Sequence, residues 1–144
     1  MFKFRLQPVL DYRENIEEDR RVKLSEIKRS LDAQWEKVNV VRKKRQELVS
    51  RLENSANIMQ ASDVSTCLSY ISSLADKEAC NMQSVRALEQ KLMDARADLV
   101  EATKQCKVLE AVKEKRLKEY RMHVSGRDRK EMDEVGMAKS SVRV

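Results

Sequence analysis

Turn-forming residues are nearly missing from this chain. Glycine occurs twice and proline once, and both glycines, Gly126 and Gly136, fall within the last twenty residues. A compact fold of 144 residues reverses direction several times, and reversals draw on clusters of Gly, Pro, Asn and Asp. A long, nearly uninterrupted helical chain is therefore predicted. Aromatic residues are also sparse, at 4%, so the 41% hydrophobic content supplies one apolar stripe per helix and no thick core.

Other absences narrow the function. No run approaches the roughly 18 apolar residues of a membrane span, and the opening MFKFRLQPVLDYR lacks the apolar stretch and cleavage site of a secretory signal. A cytoplasmic protein without membrane insertion is expected. Cys67, Cys80 and Cys106 make neither a CxxC pair nor an even disulfide framework, which agrees with a reducing compartment. Cys106 and Cys67 fall on or beside an apolar seam, where cysteine packs as a small inert residue; Cys80 falls off it. The one histidine, His123, has no partners at metal-ligand or triad spacing, and neither glycine opens a phosphate loop. No enzyme, metal, cofactor or small-molecule substrate is expected.

The charges that are present, 38% of residues with a net of +6, are interleaved in sign. Such a surface favours solubility and acidic partners and requires neither. Arg42, Lys43, Lys44 and Arg45 form the densest basic run. A nucleic-acid arm uses such charges, but Arg45 lies on the seam, Glu36 and Glu47 flank the run, and no aromatics alternate with it for base stacking. A solvated helix face is the better reading, although a nucleic-acid-binding coiled-coil arm stands as the alternative.

Steps of three and four from Val9 trace the seam Val9, Arg13, Ile16, Arg20, Leu24, Ile27, Leu31, Gln34, Val38, Val41, Arg45, Leu48 and Leu52. Pro8 suits a first helical turn, where its missing N–H costs nothing. The pattern fails over ENSANIMQAS, residues 53–62, whose Asn and Ser side chains compete for backbone hydrogen bonds. Ser62 or Asp63 can cap the second helix. The seam then resumes as Val64, Cys67, Ile71, Leu74, Glu78, Asn81, Val85, Leu88, Leu92, Ala95, Leu99, Ala102, Cys106 and Leu109, and weakens into Lys113, Arg116, Tyr120 and His123. Small residues at 95, 102 and 106 leave room for larger partners such as Ile16 and Tyr12.

So short a link makes the two helices antiparallel neighbours. The predicted fold is all-α: an antiparallel two-helix coiled-coil hairpin with a C-terminal overhang. It is one elongated domain with helix 1 over about 8–53, a turn over about 54–62, helix 2 over about 63–123 and a charged tail over about 124–144. With the turn centred near residue 58, position i faces roughly 116 minus i, and residues beyond about 110 have no intramolecular partner. The hexamer RKEMDE, residues 129–134, lies in that overhang. A helix without a seam to bury is marginal alone, so the C-terminal third, with MFKF beside it, reads as a docking end. Near the turn Tyr70 points aside from Ile71 and Leu74, either as a contact anchor or as simple packing.

Three stretches together carry a resemblance. FKFRLQPVLDYR is similar to the opening F-x-F-x-L-x-x-x-L-x-x-R of the flagellar export protein FliJ family, with Phe2, Phe4, Leu6, Leu10 and Arg13 in register. Tyr70-Ile71-x-x-Leu74 resembles the start of that family's second helix, and Lys130 to Glu134, KEMDE, resembles its charged ending. The resemblance implies a non-enzymatic stalk of the bacterial flagellar type III export apparatus, peripherally associated with the inner membrane. It implies three partners: the hexameric ring of the export ATPase FliI, the cytoplasmic domain of the export gate protein FlhA, and flagellar export chaperones. By position, the ring-facing residues would be Phe2, Phe4, Leu6, Arg13, Arg129, Lys130, Glu131, Met132, Asp133 and Glu134. The gate-facing ones would be Tyr70 and Leu74, with Val41 and Leu48 nearby. The equivalent stalk of a virulence secretion system fits the same motifs and stands as a further alternative.

Overall fold

The computed structural model describes residues 1–55 and 57–142. Two helices account for nearly all of them: α1 is Gln7–Ser55 and α2 is Ala61–Val142, and among the described residues there is no strand. The two helices pack against each other as a hairpin. Packing divides the chain into two units, Met1–Glu18 with Val100–Val144, and Asp19–Leu99. Each unit holds one piece of each helix.

The reversal falls where the seam fails. Ile58 and Met59 donate backbone N–H groups to the carbonyl of Ser55 at 3.0 and 3.1 Å, closing the end of α1. Asp63 and Val64 donate to the carbonyl of Gln60, each at 3.1 Å, opening α2. The helix therefore begins earlier than a Ser62 or Asp63 cap requires. Both residues lie inside its first turn, where the Asp63 carboxylate still complements the positive end of the helix dipole.

In the unit Asp19–Leu99 the buried side chains are Val38 from α1 and Leu74, Val85, Leu92 and Ala95 from α2. Each is a predicted seam position. Arg20 opposite Asp98 and Arg42 opposite Glu78 give the antiparallel register. Glu78, a polar seam position, accepts a hydrogen bond from Arg42 Nε at 2.7 Å on one carboxylate oxygen, and its other oxygen forms an ion pair with Arg45 Nη1 at 2.6 Å. Arg42 also lies 6.0 Å from the Trp35 ring centre and donates to Met82 Sδ at 3.8 Å. The Glu78 side chain is only 13% exposed, so two guanidinium partners compensate its removal from water.

In the unit formed by Met1–Glu18 and Val100–Val144 the buried side chains are Phe4, Leu10, Ala102 and Cys106. Here the phase of α1 differs from the sequence reading. Leu10 is buried and Val9 exposed, and Tyr12 points to solvent instead of filling the space left by Ala102 and Cys106. Arg13 Nη1 donates to Gln105 Oε1 across the pair, and the Phe2 ring meets Tyr120 at 5.5 Å. Intramolecular contact thus reaches ten residues past the expected limit of 110. Two facts explain this. The pairs Arg13–Gln105 and Phe2–Tyr120 have residue numbers that add to 118 and 122, above the expected 116. Residues 1–4 are also non-helical, and an extended residue covers about 3.3 Å against about 1.5 Å in a helix.

α2 does not stop near residue 123. It continues to Val142 with every side chain from 121 onward exposed. The charged tail is helical, and both glycines within it keep negative φ.

Candidate partner-binding surfaces

Each unit leaves large apolar side chains uncovered. In the unit with both terminal segments, the residues expected to face a ring are not equivalent. Phe4 is buried, Phe2 is half-buried against Tyr120, and Arg13 is engaged with Gln105. Leu6, just before α1, is exposed, and so are Val9 and Tyr12 on the first turns of α1. Sequence periodicity assigns Val9 to the seam and Tyr12 to the core, and so misses this strip. An aromatic or β-branched residue on a flank looks like a core residue until the partner helix fixes the phase. Arg129, Lys130, Glu131, Met132, Asp133 and Glu134 all lie on exposed helix. Their stretch carries apolar side chains, Val124, Met132, Val135 and Val142, near the face of the half-buried Leu117, interrupted by Asp128. Leu117, and not Arg116, carries the seam at that turn.

In the other unit, Leu74 is 3% exposed and belongs to the core, whereas Tyr70 is 49% exposed. Val41 and Leu48 are half-buried. Tyr70 and Leu48 line one shallow groove with Lys44, Glu47 and Arg51. The structure thus brings Tyr70 and Leu48 together and leaves Leu74 as the support beneath. The basic run splits: Arg42 and Arg45 turn inward to Glu78, while Lys43 and Lys44 stay exposed. The sequence does carry a signal for this split, since Arg45 and Glu78 are charged residues of opposite sign on facing seams.

The thiols differ by environment. Cys106 is buried, and its pKa is pushed up to about 11, first by burial, then by its hydrogen bond to Glu17 and by the negative charge of Glu17, Glu110 and Glu14. It stays a protonated thiol at neutral pH and packs as an apolar side chain. Cys80 is exposed and Cys67 half-buried. Among the described residues, no group of His, Cys, Asp and Glu could hold a metal ion, and no helix is long and apolar enough to cross a membrane.

Uncovered helix faces and inward-turned charges define a class: an antiparallel helical hairpin with apolar side chains left on its surface. No curated protein and no solved structure shows significant similarity to the chain. The family model described as flagellar FliJ protein matches residues 2–143, nearly the whole length. The chain belongs to the FliJ family, and is thereby a component of the flagellar type III export apparatus.

Proposed function

We propose that the chain acts as the stalk of the export apparatus. The end that carries both terminal segments docks in the hexameric ring of the export ATPase and promotes its assembly and turnover. The surface around Tyr70 contacts the cytoplasmic domain of the export gate. The same hairpin escorts empty export chaperones and works peripherally at the inner membrane. The observation that carries this reading is the stretch 121–142, a helix with no side chain covered that still presents Met122, Val124, Met132, Val135, Met137 and Val142 to its surroundings. An isolated helix of that length gains little from propensity alone, and most helical stability comes from packing an apolar face. A ring that encloses residues 121–142 supplies the missing packing.

On this reading Leu6, Val9 and Tyr12 add an apolar contact strip beside the tail, while Phe4 and Arg13 hold the terminal segment in place from within. An antiparallel pair of unlike helices presents different side chains around its circumference, which is what a shaft inside a ring of identical subunits needs in order to favour one subunit's closure over its neighbours'. The test mixes the purified ATPase with the full chain or with a chain lacking residues 125–144, and measures hexamer formation and ATP turnover. Stimulation by the full chain and none by the truncated, still helical chain is the expected result. Equal stimulation by both overturns the role of the tail.

A further inference from the structure

The groove at Tyr70 has a charge pattern that the gate assignment does not use. Lys44, Glu47, Leu48 and Arg51 follow one another at i, i+3, i+4 and i+7 on α1, so they share one face, and Tyr70 from α2 closes the groove. Leu48 forms an apolar floor, half-buried. On the α2 side, residues 64–75, VSTCLSYISSLA, contain no charged side chain in a chain that is 38% charged, and Asp76, Lys77 and Glu78 follow only at the Lys44 end. The potential beside Leu48, Arg51 and Tyr70 is therefore set by α1. None of Lys43, Lys44 and Arg51 has an ion-pair partner among the described residues. The neighbouring Arg42 and Arg45 are held by the one carboxylate of Glu78, which leaves that cluster a net charge of +1. Lys44 and Arg51, two helical turns apart, stand about 10 Å from each other along the axis at 1.5 Å per residue.

We propose that this groove is the docking site for an acidic protein segment. The segment has two carboxylates about 10 Å apart, which meet Lys44 and Arg51, and between them an apolar side chain that lies on Leu48 against the Tyr70 ring. Resting on the proposal that the Tyr70 surface faces the gate, the segment belongs to the cytoplasmic domain of the export gate. An apolar and aromatic pair, Leu48 and Tyr70, flanked by charged side chains is the anatomy of a protein contact surface. Glu47 decides against a polyanion. Its carboxylate sits between the two cations, where it repels a continuous phosphate backbone but is straddled by two separate carboxylates. The cations fix orientation and raise the association rate, and Tyr70 with Leu48 supplies the buried contact.

The experiment uses the full chain and three probes. These are a synthetic helical peptide with glutamates seven positions apart and a leucine between them, the same peptide with lysines for glutamates, and poly(U) RNA. Nuclear magnetic resonance follows the Leu48 methyls and the Tyr70 ring. Shifts at both with the glutamate peptide support the proposal, provided that affinity drops about tenfold or more in Lys44→Glu/Arg51→Glu, drops less in Lys44→Gln/Arg51→Gln, and weakens with salt. No shift with that peptide, equal binding of the lysine peptide, or poly(U) moving the same resonances overturns it. Binding of the purified gate domain to the unmodified chain is measured separately. If the gate domain fails to bind while the glutamate peptide does, the gate reading falls and the chemistry of the groove stands.

Discussion

The Phe2 ring packs on the Tyr120 ring at 5.5 Å between centroids and 47° between planes, joining the non-helical start of the chain to α2. The contact lies beyond the last buried seam residue, Cys106, and it ends the hairpin's grip on α2. An aromatic pair in this geometry contributes about 0.5–1.5 kcal/mol beyond its buried area. Phe2→Ala is expected to release the segment 1–4 and to speed amide exchange at residues 113–120, while exchange at Val85 stays slow. Unchanged exchange at 113–120 would show that the pair holds nothing.

Glu78→Ala strands Arg42 and Arg45 without their shared carboxylate. Breaking a fully buried pair costs about 3–5 kcal/mol, but the arginine side chains are 40% and 34% exposed and can turn to water. A loss of about 1–3 kcal/mol is expected in urea unfolding. Arg20→Ala serves as the contrast, because its pair with Asp98 is 3.9 Å long and half in solvent; its loss should stay below about 1 kcal/mol.

Tyr70 and Leu74 separate a contact role from a core role. Leu74→Ala removes a buried side chain and should cost about 2–5 kcal/mol. Tyr70→Ala should leave the melting temperature nearly unchanged and weaken binding of the gate domain. Full gate binding by Tyr70→Ala would remove the assignment of that surface.

The raised pKa of Cys106 makes a signed prediction. Below about pH 9 the thiol is protonated in folded and unfolded chains alike, and its contribution to stability is complete. Between 9.0 and about 11 the unfolded chain releases the proton and the folded one keeps it, so stability falls as pH rises through that window. The urea midpoint should therefore drop more steeply from pH 8 to 10.5 in the unmodified chain than in Cys106→Ala. Parallel slopes would show that the thiol is not protected. At pH 7.5 a thiol reagent should label Cys80 first, Cys67 next and Cys106 last.

Gly126 and Gly136 have negative φ and nothing within 4 Å of an added Cβ. Replacing each by alanine should stabilise the helical tail by about 0.4–1 kcal/mol, visible as higher ellipticity and slower exchange over 125–142. No gain in helicity would mean that the free tail is not helical at these positions.

Much of this molecule is dictated by local rules. A seam in steps of three and four, with hardly any glycine or proline to interrupt it, specifies helix wherever it runs. The Asn- and Ser-bearing stretch after Glu53 specifies the one reversal, because side chains there bond the backbone as well as a helix would. Val38, Leu74, Val85, Leu92 and Cys106 are buried where periodicity puts them.

What periodicity does not contain is the other helix. Whether Val9 or Leu10 turns inward depends on which side chains α2 offers at that level. So does the inward turn of Arg42 and Arg45 while Lys43 and Lys44 remain in water: one carboxylate, Glu78, stands within reach of the first two. The exposed strip Leu6, Val9 and Tyr12 and the groove between Lys44 and Arg51 are the remainder after that pairing is made. A single helix fixes the angular spacing of its residues, but only contact with a second one fixes which angle counts as inside.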